Sequence, residues 1–162
     1  MKTQYGFFLF VVCLLSFSSC KQTTLTNTEL VTLRFDALNK HDLAALENLY
    51  SDSALIESPN LSAPEKGKNG IHSVYSRYFK SSPDLVYTIT KILPGDSSVS
   101  VEFTSTGTMK YLEDGGPAYM LDKKYSLHNC TILEIRNHKI VRDASYFDQV
   151  SFLRQVGFFE QH

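Results

Sequence analysis

The chain has 162 residues, 43% hydrophobic and 20% charged, a composition suited to one globular domain. It excludes disorder, collagen-like repeats and coiled coils. Sixteen Lys and Arg against seventeen Asp and Glu leave a formal charge of −1, so no broad basic surface exists to neutralise a phosphate backbone. Nucleic acid is therefore not an expected partner.

Lys2 precedes an apolar run, Phe7 to Phe17, too short for a permanent bilayer span. It reads as the h-region of a signal peptide over residues 1–19. Ser18-Ser19-Cys20 at its end resembles the lipobox of bacterial lipoproteins, although Phe17 stands where Leu is commoner. The resemblance implies that Cys20 is lipidated and becomes the new N-terminus. Two or more acyl chains anchor stably where one is marginal. A plain secretory peptide cut near Ser19 is the alternative. The expected location is the bacterial cell envelope, with the domain tethered to a membrane and facing the periplasm. Residues 20–27 form the lipidated terminus and a polar linker.

Processing would leave Cys130 as the lone cysteine, so no disulfide framework is possible; in a strand-like, Thr-rich segment it reads as a small buried hydrophobe. His41, His72, His128, His138 and His162 are scattered without metal-ligand spacing. No Gly-rich phosphate loop or nucleophile elbow occurs. Neither a metal nor a cofactor is expected.

The folded domain is placed at 28–162. Leu30, Leu33, Ala37 and Leu38 recur at helical spacing, with Asn27 or Thr28 as cap. Asp42 caps a second helix, with Leu43, Leu46 and Tyr50 on one stripe. Residues 54–57 form a short strand, closed by Ser58-Pro59, and a loop follows over 60–69. Ile71, Val74, Tyr75, Tyr78 and Phe79 give the clearest helical period, and their spacing suits packing in a core. Strands are predicted over 85–93, 98–108, 119–136 and 139–147, with turns at Pro94-Gly95-Asp96 and Asn137-His138. Arg142 and Asp143 read as a solvated edge of the last strand. Residues 148–156 close the chain as a helix, with Val150, Leu153 and Val156 inward. This order is α+β, with helices on one face of an antiparallel sheet.

The stretch from Leu38 through Tyr50, then Ala54-Leu55-Ile56-Glu57-Ser58-Pro59 and Lys66-Gly67, resembles the opening of SnoaL-like domains in the nuclear-transport-factor-two-like superfamily. Lys139-Ile140-Val141, Tyr146-Phe147-Asp148-Gln149 and Leu153-Arg154-Gln155-Val156-Gly157 resemble their close. The resemblance implies a conical half-barrel: a strongly bent antiparallel sheet wrapped around three N-terminal helices, with a short C-terminal helix. An apolar pocket would lie at the wide end, commonly in a homodimer. Ketosteroid isomerase, a distant member, has Glu-Asp-Pro where this chain has Glu57-Ser58-Pro59, and a Tyr where it has Arg34 and Phe35. Its proton-abstracting base is thus missing here.

By the same resemblance Asp148 stands where SnoaL-like cyclases carry their acid/base Asp. A carboxylate in an apolar pocket has its charged form disfavoured, which suits proton transfer. Asp148 can equally cap the last helix. Tyr146 shares its face of the strand by alternation. Counting back through the Asn137-His138 turn sets Tyr146 opposite Asn129, or opposite His128 if a bulge intervenes. The candidate catalytic residues are therefore Asp148 and His128, and the candidate pocket residues are Tyr50, Glu57, Asn129 and Tyr146. Three functions stay open: a binding module for a small, largely apolar molecule, an isomerase- or cyclase-type enzyme, or a protein-interaction domain.

Overall fold

The computed structural model describes residues 25–112 and 116–160. The predicted signal peptide, Cys20 and most of the linker lie outside them. Helix α1 (Asn27–Asn39) begins at Thr26, one residue before the predicted caps. The Glu29 N–H donates to the Thr26 hydroxyl at 3.2 Å, and the Thr26 N–H donates to the Glu29 carboxylate at 2.8 Å. This reciprocal box satisfies two donors that a helix start leaves open. Helix α2 (Leu43–Leu49) is capped by Asp42, which accepts from the Ala45 N–H at 2.9 Å. Helix α3 (Gly67–Ser81) starts hard against the sheet: Gly67 has φ +62°, and a Cβ there would sit 2.5 Å from the Asp52 carbonyl oxygen. Only glycine meets both demands.

Among the described residues six strands form one unclosed sheet: β1 (Tyr50–Glu57), β2 (Glu65–Lys66), β3 (Val86–Pro94), β4 (Ser98–Thr108), β5 (Lys124–Arg136) and β6 (Lys139–Phe147), in the spatial order β2-β1-β6-β5-β4-β3. All neighbours run antiparallel except β1 and β6, which are parallel. Parallel neighbours need a long connection, and here it includes α3 and four strands. β1 is longer than predicted because Tyr50 already pairs with Ile140. β5 is shorter: Ala118–Met120 is a 3-10 turn, and Asp122 takes a left-handed φ of 61° while its N–H donates to the Met109 carbonyl at 2.7 Å. The core lies between the three helices and the sheet's inner face, where Val31, Leu38, Ile71, Val99, Val101, Leu133 and Ile140 are all buried.

One irregularity in β6 changes which side chains face inward. Ile135 pairs with Ile140, but the next residue back, Glu134, pairs with Arg142, so Val141 is an extra residue on β6. A bulge of this kind shifts alternation by one. Beyond it Cys130, not Asn129 or His128, lies opposite Tyr146, and Asn129 lies opposite Phe147. Asp143 turns inward and is fully buried, which corrects its reading as a solvated edge, while Tyr146 turns outward and is 51% exposed.

Helix α4 (Gln149–Gln155) follows directly. Gln155 ties it to β5 at two points, accepting from the Ser126 N–H at 2.8 Å and donating to the Ser126 carbonyl at 3.1 Å. Val156 is buried, but Val150 is exposed, contrary to expectation. Phe152 turns inward instead, meeting Tyr125 edge to face at 5.3 Å.

Candidate functional site

A cavity of about 380 Å³ opens between α3, the inner face of the sheet and α4. Leu85, Tyr87, Phe103, Met109, Leu127 and Phe147 line it with apolar surface. Polar groups enter at separate points: Ser58 and Asn60 after β1, Tyr78 on α3, and Asn129, Ser105 and Ser145 on the sheet. Asn129 donates through Nδ2 to Ser105 Oγ at 3.0 Å and to the Leu127 carbonyl at 2.8 Å, which fixes its amide on the wall.

Beside the cavity stands a network drawn from five elements. Arg34 on α1 and Asp143 on β6 form an ion pair of 2.6 Å, with side chains 2% and 1% exposed. Tyr50 and Tyr75 donate to the same Asp143 oxygen at 2.6 and 3.1 Å, and each hydroxyl accepts from Arg34 at 2.6 Å. Thr131 on β5 donates to the other Asp143 oxygen at 2.7 Å. Burial by itself would raise the Asp143 pKa, but the Arg34 charge and the hydrogen bonds from Tyr50 and Thr131 outweigh it and hold the carboxyl below its usual range. Burial would likewise lower the Arg34 pKa, and Asp143 and the two tyrosines carry it well above its ordinary value. Burial dominates at Tyr50 and Tyr75, so both phenols are pushed up despite Arg34 nearby. The pair is therefore charged and mutually neutralised. One group is left over: Arg34 Nη1 is buried with no hydrogen-bond partner among the described residues. Arg34 and Tyr75 also line the cavity.

The residues singled out from the sequence do not converge. Asp148 accepts from the Ser151 N–H at 3.0 Å as the cap of α4 and does not line the cavity. His128 and Tyr146 share a shallow depression on the outer face with Glu102 and Cys130. Cys130 is half-buried there, short of the full burial expected. Glu57 pairs with Arg142 at 2.6 Å, away from the cavity. Tyr50 contributes its hydroxyl to the buried network, and Asn129 alone of the candidates lines the cavity. Arg34 and Asp143 were not among the candidates. Arg34 falls at i+4 from Leu30 and i−4 from Leu38, so a cation sits on the buried stripe and calls for a buried carboxylate. No sequence pattern announces the bulge that supplies one.

Comparison with curated proteins gives no match. Solved structures share the fold. A protein of ketosteroid isomerase-like fold from Catenulispora acidiphila, in complex with trimethylamine, is 24% identical with a TM-score of 0.68, over 82% of this chain and 95% of that one. IdmH from Streptomyces antibioticus, described as a candidate polyketide cyclase, is 22% identical with a TM-score of 0.68, over 80% and 97%. TerC, co-crystallised with polyporic acid, is 14% identical with a TM-score of 0.67, over 80% and 97%. Residues 31–143 match the family model of the SnoaL-like domain, and the chain belongs to that family.

Proposed function

We propose that this protein binds a small, largely apolar molecule in the cavity of its SnoaL-like domain while held at the cell envelope through a lipid on Cys20. The observation that carries this reading is the cavity itself. Its volume of about 380 Å³ falls in the range of small-molecule sites, and its walls are apolar with a few fixed polar groups. Neighbours of the same fold are recorded with trimethylamine and with polyporic acid. The acid/base alternative, with Asp148 assisted by His128 or Tyr146, draws on the cyclase description of IdmH. Geometry favours binding: no Asp, Glu or His among the described residues lines the cavity. The interaction-domain alternative leaves the cavity without a role.

Leu25, where the described chain begins, and the cavity sit at opposite ends of the sheet. The Leu25 carbonyl lies 3.1 Å from His138 Nδ1 in the β5–β6 turn, and Asn27 donates to the Asp96 carbonyl in the β3–β4 turn at 3.2 Å. Met109, Leu112, Gly116 and Met120 line the cavity from the β4–β5 connection, at the other end of those strands. A short linker from Cys20 thus turns the hairpin tips to the lipid and presents the cavity to the periplasm.

Native mass spectrometry of the full chain, as its bacterial host processes it, tests the reading. We expect a reproducible small-molecule adduct that survives gentle purification and is lost on denaturation, and the same spectra report whether the protein is a homodimer. A bare mass, unchanged by challenge with apolar metabolite extracts, overturns the small-molecule reading in favour of an interaction domain. Loss of diacylglycerol mass and of membrane association in Cys20→Ser tests the anchor; an unchanged distribution refutes it.

A further inference from the structure

We propose that the Tyr87 hydroxyl and the side-chain oxygen of Asn129 select a ligand that carries a neutral hydroxyl group, an apolar alcohol or phenol. This rests on the small-molecule reading above and names the ligand's chemical class. Tyr87 lines the cavity from β3, and its position is fixed twice over. The Asn39 side chain clamps its backbone, donating to the Tyr87 carbonyl at 2.9 Å and accepting from the Tyr87 N–H at 2.7 Å. Its ring packs against Phe35 and Phe103, with centroids 6.4 and 5.9 Å away. The other tyrosines on the wall, Tyr75, Tyr78 and Tyr125, each donate to a protein oxygen. Tyr87 is 9% exposed, yet its hydroxyl has no hydrogen-bond partner among the described residues, and it is not closed off as Arg34 Nη1 is. A phenol this buried normally finds a partner. Burial, and then Tyr75, Tyr78 and Tyr125 close by, hold its pKa well above the ordinary value, so it stays a neutral donor among groups that face the cavity.

Asn129 narrows the class. Its Nδ2 donates to the Leu127 carbonyl, which can only accept, so the orientation of the amide is settled and Oδ1 is the free end. No group among the described residues donates to that oxygen, and Asn129 is half-buried on the cavity wall. The two residues share one stretch of that wall: Ser105 lies directly across from Tyr87 and accepts from Asn129 Nδ2 at 3.0 Å. An oxygen that only accepts needs an incoming O–H or N–H. A ketone, an ether or a carboxylate has none to give. An ammonium has one, but it would bring a charge to a wall that carries no acidic side chain among the described residues. A hydroxyl is the smallest neutral group that gives one hydrogen and accepts another, which suits Asn129 Oδ1 and the Tyr87 phenol together.

Three probes on one ring system test this on the full chain in lipid nanodiscs, with empty nanodiscs as the blank: 2-naphthol, 2-methoxynaphthalene and 2-methylnaphthalene. We expect 2-naphthol to bind about tenfold tighter than the methyl compound, as two neutral hydrogen bonds provide, with the methoxy compound, which accepts but cannot donate, between them. In protein carrying 13Cζ-labelled tyrosine, the resonance that Tyr87→Phe removes should shift with 2-naphthol and stay in place with 2-methylnaphthalene. Equal affinity for these two, with that resonance unmoved, overturns the hydroxyl site but leaves the apolar pocket standing. A methoxy compound that binds as tightly as 2-naphthol overturns the class in favour of an acceptor alone. No binding of any probe removes the pocket reading itself. Tyr87→Phe keeps the ring and removes a hydroxyl without a protein partner, so its urea midpoint should match the native one while the preference for 2-naphthol falls about fivefold and the methyl compound binds as before. Equal weakening of all three probes would make Tyr87 a structural residue and overturn the proposal; if the variant does not fold, the order of the probes on the native chain still decides.

Discussion

Asp143 and Asp148 lie five residues apart on the way out of one strand, and their surroundings are opposite. Asp143 is fully buried and accepts from Arg34, Tyr50, Tyr75 and Thr131, behind the Arg34 and Tyr75 side chains that line the cavity. Asp148 accepts from a backbone N–H at the first turn of α4 and stays away from the cavity. The side chains are identical, so the difference is one of register. Had β6 alternated without interruption from Ile140, residues 142, 144, 146 and 148 would have faced inward; the extra Val141 sends 143, 145 and 147 there instead.

Inserting one Ala between Arg142 and Asp143 is the harshest way to break this contrast. It shifts the alternation by one, turns Asp143 outward and strands Arg34 in the core, and we expect no cooperative urea transition. A folded insertion variant with native far-UV circular dichroism and stability would show that register does not set the inward face. Asp143→Leu isolates the charge. Leaving Arg34 buried without its partner should cost about 3–5 kcal/mol in urea unfolding, whereas Arg34→Met with Asp143→Leu should cost less than the two single changes summed. Additive losses would mean that the two residues act separately.

Titration sharpens the same comparison more gently. The folded Asp143 pKa is depressed, so its contribution is present above the ordinary carboxylate pKa of about 3.9 and is lost as pH falls through the folded value. Tyr50 and Tyr75 are raised when folded, so their contribution is complete below about pH 10 and fades as pH rises past it. Unfolding free energy should thus fall at both extremes, and Asp143→Asn should flatten the acid limb; an acid limb unchanged in that variant would assign it to other carboxylates. Asp148→Ala, by contrast, removes only a cap, with an expected loss of about 1 kcal/mol and no loss of the bound adduct. His128→Ala, on the exposed outer face, should stay within about 0.5 kcal/mol. If either change abolished ligand binding or a measured turnover, the outer face of β5 or the end of β6 would have to be part of the site.

The sequence by itself determined the local elements. The caps, the helical stripes of α1 and α3, the alternation of Val99, Val101 and Phe103, and the turn residues Asn137 and His138, both with left-handed φ, are short-range effects that single residues carry. Together with their order they suffice for the fold class. Only tertiary structure decided the site. Arg34, Tyr50, Tyr75, Thr131 and Asp143 come from five different elements, and their meeting depends on β1 pairing parallel to β6 and on a one-residue bulge in β6. Periodicity counts from neighbours along the chain and is blind to an inserted residue whose effect is felt only across the sheet. The cavity, its buried ion pair and its unpartnered Arg34 N–H are therefore properties of the assembled sheet and helices.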